Sequence, residues 1–193
     1  MRTTMQHALS FALALSFCAQ LSADQQDQAQ IHNSLQGYSG NAMVNQAAGS
    51  AQQQVNARAI AAGEHASVQV RQQRGQIAEE AGQLDASSHI TGNAFSAGNG
   101  ILGVNQSAGV GNQQINAFRL GFGALPESLD DSGLAQSAAP LSLNSGAEVP
   151  NNGERLVEID DQAFVGSRGA VQLNQSAGVG NRSVNNLGIR ILD

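Results

Sequence analysis

The side chains with the most regular spacing in this 193-residue chain are amides. The string Asn-Gln-Ser-Ala-Gly-Val-Gly-Asn begins at Asn105 and again at Asn174, and a relaxed copy, Asn-Gln-Ala-Ala-Gly-Ser-Ala-Gln, begins at Asn45. Gln46, Gln106 and Gln175 follow directly, and a second asparagine stands eleven residues on, at Asn56, Asn116 and Asn185. A carboxamide both donates and accepts, so its chemistry is to bond a copy of itself on either side. Catalysis needs groups of another kind, and they are scattered. His32, His65 and His89 lack the spacing of a metal cluster, and the pairs Glu79-Glu80 and Asp130-Asp131 read as solvated charge. Gly98, Gly100 and Gly103 are not followed by Gly-Lys-Ser/Thr, and the chain has no lysine. No Gly-x-Ser-x-Gly elbow occurs. No catalytic, cofactor or metal residue is assigned; the reading is of a protein that is not an enzyme and takes no small-molecule substrate.

The amides sit in three longer units, spanning 34–61, 94–121 and 163–193 (the last with the C-terminus). Each has a large apolar residue ten positions upstream of its first asparagine: Leu35, Phe95 and Phe164. Val44, Val104 and Leu173 immediately precede that asparagine, and Ile60, Leu120 and Ile189 follow the second. Gly49, Gly109 and Gly178 supply the permissive bend between them. Period-two alternation puts Leu102, Val104 and Gln106 on one face and Gly103 and Asn105 on the other. In the following strand Asn116, Phe118 and Leu120 share a face, although Arg58 stands at the Phe118 position of the first unit. Each unit therefore reads as strand–turn–strand, with the second turn at 107–112.

The expected fold is all-β: three strand–turn–strand repeats stacked as a β-solenoid or cross-β layer structure, about 4.8 Å per layer. Stacking would place Asn45, Asn105 and Asn174 in one column and Asn56, Asn116 and Asn185 in another. Composition agrees. There is no Trp, one Tyr and 22 Gly, so large core-filling side chains are few. Order then has to come from backbone and amide ladders rather than from a dense core.

Charge is partitioned. The net charge is -6, and apart from Asp193 every acid lies outside the units, where in-register carboxylates would repel. An acidic balance gives nucleic acid no footing. Pro126, Pro140 and Pro150 all fall in the segment 122–162, which reads as a flexible linker, as does 62–93. Within the latter, 67–83 has few helix breakers and admits transient helix, whereas Leu156, Val157 and Ile159 admit a short strand. Residues 24–33, rich in Gln and Asp, read as a disordered N-terminus. Residues 1–23 read as a cleaved secretory signal: Arg2 and His7, then an apolar run to Cys18, then a small residue at Ala23. Cleavage there removes the only cysteine.

The Asn-Gln-Ala/Ser-Ala-Gly turn with a following Val/Ile-Asn resembles the repeats of the Fap-type functional amyloids of pseudomonads, and more distantly those of curli. The resemblance covers the three units and the signal–repeat–linker layout. It implies a subunit that crosses the periplasm, leaves through outer-membrane export machinery, and joins extracellular fibres of a biofilm matrix. Its partners would be itself or a homologous fibre subunit. Fibre-forming members are expected to carry Cys-x-Cys near the C-terminus, and no cysteine follows Cys18. Two roles stay open: a minor or nucleating fibre subunit, or a periplasmic chaperone-like accessory protein that holds off polymerisation of another subunit.

Overall fold

The computed structural model describes residues 24–62, 66–75, 83–122, 134–138 and 153–191. Residues 1–23, read above as a secretory signal, lie outside them, as do His65, Glu79-Glu80, Asp130-Asp131 and the prolines. Three serpentine rungs follow one another along the chain. The first comprises β1 (Gln25–His32), β2 (Ser39–Ala48), β3 (Gln53–Ala62) and β4 (Val70–Arg74). The second comprises β5 (Leu84–Thr91), β6 (Asn99–Val110), β7 (Gln113–Phe122) and β8 (Leu134–Ala138). The third comprises β9 (Arg155–Ile159), β10 (Arg168–Val179) and β11 (Arg182–Ile191).

Strands that follow one another in a rung do not pair. Pairing runs from rung to rung, giving parallel sheets β1-β5-β9, β2-β6-β10, β3-β7-β11 and β4-β8. Each strand–turn–strand is thus an arch whose two arms face each other through side chains. The register is that of the amide repeat: Asn45 pairs with Asn105 and Asn105 with Asn174, while Asn56 pairs with Asn116 and Asn116 with Asn185. The arrangement is that of a solenoid-like, layered all-β fold with parallel stacked sheets.

The sheets lie side by side in chain order, with β5 against β6, β6 against β7 and β3 against β4. Between the first two sheets sits the main apolar cluster, Ile31, Ile90, Phe95, Leu102 and Val104, with Val44, Phe164 and Leu173 packed on it. Leu102, Val104 and Gln106 point into this space, and Asn105 points across to the third sheet, as the alternation requires.

Several expectations are corrected. Residues 24–33 are not disordered: Gln25–His32 is β1, paired in parallel with β5. The alternation Asp27, Ala29, Ile31 against Gln26, Gln28, Gln30 buries the first set, which is what a half-buried strand demands. The segments 62–93 and 122–162 are not mere linkers, since they contribute β4, β5, β8 and β9 to the sheets. Among the described residues of 67–83 there is no helix, and residues 70–74 are strand; 76–82 lie outside the described residues. The turn of 107–112 is shorter than expected, because β6 continues through Ser107 to Val110 and only Gly111 and Asn112 separate it from β7. Strand pairing with identical backbones above and below rewards every residue that can stay extended.

Candidate functional site: the stacking columns

The two asparagine columns meet face to face between the second and third sheets. Within a rung the second asparagine donates to the first: Asn56 Nδ2 to Asn45 Oδ1 at 2.8 Å, Asn116 to Asn105 at 3.0 Å, and Asn185 to Asn174 at 3.0 Å. Between rungs each donates to its own kind: Asn105 to Asn45, Asn174 to Asn105, Asn116 to Asn56 and Asn185 to Asn116, all at 2.9 Å. The same amides reach backbone carbonyls of the facing strand, as Asn116 does to Val104 O at 3.0 Å. Asn105 and Asn116 are buried, yet their polar atoms are matched, so desolvation costs are met by bonds.

The glutamines form a third column on the opposite face of the second sheet. Gln106 donates to Gln46 Oε1 at 2.8 Å and Gln175 donates to Gln106 Oε1 at 2.9 Å. They also tie the second sheet to the first, since Gln106 bonds Ala29 O and His89 O, and Gln175 bonds Ser88 O. In all three columns the side chain of the later rung donates to that of the earlier one. Rung three therefore presents acceptors outward, and Gln175 Oε1 is buried with no partner.

The bends are governed by close approach. Gly49, Gly109 and Gly178 have φ of 91°, 107° and 116°, and a Cβ on Gly109 would overlap the Gly178 carbonyl oxygen. At the other arc the positive φ falls on residues with side chains: Leu35 at 53°, Phe95 at 58° and Phe164 at 62°. Such a conformation costs on the order of 1 kcal/mol each. It is offset by packing, with Phe95 fully buried and stacked on Phe164 at 5.1 Å between ring centroids. The arc backbone also bonds from rung to rung, as in Phe95 N to Ser34 O and Phe164 N to Ala94 O.

Among the residues expected to form the apolar layer, Val44, Val104, Leu173, Phe95 and Phe164 are brought together. Ile60, Leu120 and Ile189 are not part of that core. They stack on one another at the far end of the third sheet, where Ile60 is 58% exposed.

Other stacking residues escaped the sequence reading. Ile31, Ile90 and Ile159 form a column, and Gln72 receives a bond from Gln136 at 2.8 Å in the outermost sheet. Gln113 donates to Gln53 in the same way. The isoleucines were detectable, since their offsets nearly repeat those of the asparagines. Of the histidines, His32 bonds Thr91 Oγ1 and His89 lies 3.2 Å from Glu158 Oε2. No group of three or more potential metal ligands occurs among the described residues.

A chain whose register stacks like on like is built as a cross-β assembly in miniature. The family model described as functional amyloid protein FapB/FapC matches residues 14–192. The chain belongs to the FapB/FapC family. The match takes in all three rungs and both intervening segments, so membership rests on nearly the whole chain rather than on the repeats alone. No solved structure matches it. In this FapB/FapC chain the columns run through three rungs and end at rung one and rung three.

Proposed function

We propose that the chain is an exported fibre component, a minor or nucleating subunit of a biofilm-matrix amyloid, whose three-rung stack is lengthened by adding further copies to its ends. One observation carries the reading. Equivalent residues are sealed in the middle rung and open in the terminal one: Leu102 and Ile115 are 0% exposed, whereas Val171 and Val184, their partners in register, are 42% and 40% exposed. Each terminal rung is half of an interface whose other half is its neighbour in sequence. Such a sheet edge recruits strands of matching pattern.

The competing role, a capping protein that binds a fibre subunit and stops there, draws support from Arg58. In rung one it occupies the column of Phe118 and Leu187, where its guanidinium bonds Ile101 O and Ala42 O. A cation in an apolar column discourages addition at that end. Fibrillation of the purified chain without residues 1–23 separates the roles. A lag phase, seeding and a meridional reflection near 4.7–4.8 Å are expected of the subunit. A chain that stays soluble while delaying another subunit's fibrillation would overturn that role and support the cap. Removal of 163–193 is expected to slow assembly most, since the second and third units match best.

A further inference from the structure

We propose that the joint between successive copies is keyed by one ion pair, the Asp27 carboxylate of one molecule with the Arg155 guanidinium of the next. The inference rests on the subunit reading above and adds the chemistry of the junction and its direction.

In the first sheet Asp27 pairs in register with Ala86, and Ala86 with Arg155. Inside one chain the two charges are therefore two rungs apart, roughly 10 Å, with an alanine between them and no ion pair. They nevertheless occupy the same place in their rungs. Asp27 Oδ2 fills the space a Cβ on Gly49 would need, and Arg155 Cδ and Nε lie 2.8 and 2.9 Å from the Cβ position of Gly178. Gly49 and Gly178 belong to one column, so Asp27 and Arg155 both lean over the same glycine bend from opposite ends of the stack.

Laying rung one of a second copy on rung three, in the register the chain already uses, makes Asp27 and Arg155 direct neighbours at about 4.8 Å between strands. The other terminal pairings are neutral or carry a single charge: Arg168 with Ser39, Arg182 with Gln53, Arg190 with Ala61, Glu158 with Gln30 and Leu187 with Arg58. None of these terminal pairings places like charges together. Asp27 is itself buried, where an unpaired carboxylate is costly, and its described contact is to Gln25 Nε2. A second observation points the same way. Amide columns donate from later rung to earlier, and the unpartnered Gln175 Oε1 of rung three is the acceptor that Gln46 Nε2 of an incoming rung one would meet. Charge and amide polarity select one order, rung three to rung one.

Charge exchange tests the joint in seeded elongation of the whole exported chain, wild type being the control. Asp27→Arg alone puts two arginines at each junction, and Arg155→Asp alone puts two acids there. Each is expected to slow elongation by about tenfold or more. The double variant restores it, and so does an equimolar mixture of the two single variants, in which every mixed junction is again oppositely charged. A purely local folding defect at either residue would not be rescued by mixing, and Arg155 is an exposed side chain on a terminal strand. Single variants that elongate like wild type, or a mixture that stays blocked, would overturn the ion pair while leaving the subunit reading intact. A wild-type chain that does not elongate from its own seeds would overturn both.

Discussion

Asn116 Nδ2 donates to Asn105 Oδ1 at 3.0 Å, so the two asparagine columns are cross-linked inside the middle rung. Each residue also holds its own column, Asn116 through Asn56 and Asn105 through Asn45. Replacing Asn116 by Leu strands buried acceptors and is expected to cost about 1–3 kcal/mol. Because Asn105 then loses a partner as well, the double variant Asn105→Leu/Asn116→Leu should fall short of the sum of the singles by at least about 0.5 kcal/mol. Denaturant midpoints of the four proteins check this; strict additivity would mean that the columns act independently.

Gly109→Ala and Gly37→Ala separate two reasons for glycine. Gly37 has φ of 63° but nothing within 4 Å of a Cβ, so its substitution should cost only the strain of the conformation, about 1 kcal/mol. Gly109 adds overlap with the Gly178 backbone, and the rung spacing has to open to relieve it. Its substitution should cost about 2–4 kcal/mol in all. Equal thermal shifts for the two variants would argue against close rung-to-rung approach at Gly109.

Phe95 and Leu35 share a column but not an environment. Phe95 is fully buried, so Phe95→Ala should destabilise by about 3–5 kcal/mol. Leu35 is 45% exposed at the end of the stack, and Leu35→Ala should cost no more than about 1 kcal/mol in the isolated chain. In fibres the Leu35 penalty should grow if end-to-end addition covers it. Chemical denaturation of both forms reads the difference.

Asp160 joins the arcs of rungs two and three: its Oδ1 accepts from Gln162 N at 2.9 Å and its Oδ2 from Gly92 N at 3.1 Å. These backbone donors, with a smaller Coulombic contribution from His32, hold its carboxyl below the usual carboxylate range. The folded state therefore binds this proton less readily than the unfolded chain does. The stabilisation is fully present above the unfolded pKa and is lost as pH falls through the folded one. Asp160→Asn should flatten the acid limb of the stability profile below about pH 4, its loss of stability being largest near pH 7, where the carboxylate's advantage is fully present, and smallest in acid. An unchanged acid limb would remove Asp160 from the account.

How much was legible varies by element. The second and third sheets were readable because Asn105 and Asn116 recur at fixed offsets, and a stacked amide tolerates few substitutes. The first sheet was hidden for a physical reason. Outward-facing column partners need only share a face, so Gln28, Ser87 and Leu156 can follow one another without any repeated letter. Ile31, Ile90 and Ile159 did repeat, but they lie in segments whose charge and glutamine content suggested solvated chain. The short outer sheet β4-β8 was less visible still, because Gln72 and Gln136 sit in otherwise unrelated surroundings. Ile60, Leu120 and Ile189 show the converse limit. Repetition located their column, but only the facing sheet decides whether a column is covered.

The rung register has one more consequence, which concerns dilution. In a stack made by repeating this chain, two of every three rung interfaces lie within a molecule and one lies between molecules. A covalent tether replaces bulk concentration by an effective concentration on the order of millimolar for the interfaces it spans. Rungs one to two and two to three therefore ignore mass action, and only the joint from Leu173 to the next Val44 obeys it. Growth of such a stack would proceed in steps of about 14 Å rather than one strand spacing at a time. Washing a fibre of this kind would detach whole molecules from its ends without loosening the layers inside them.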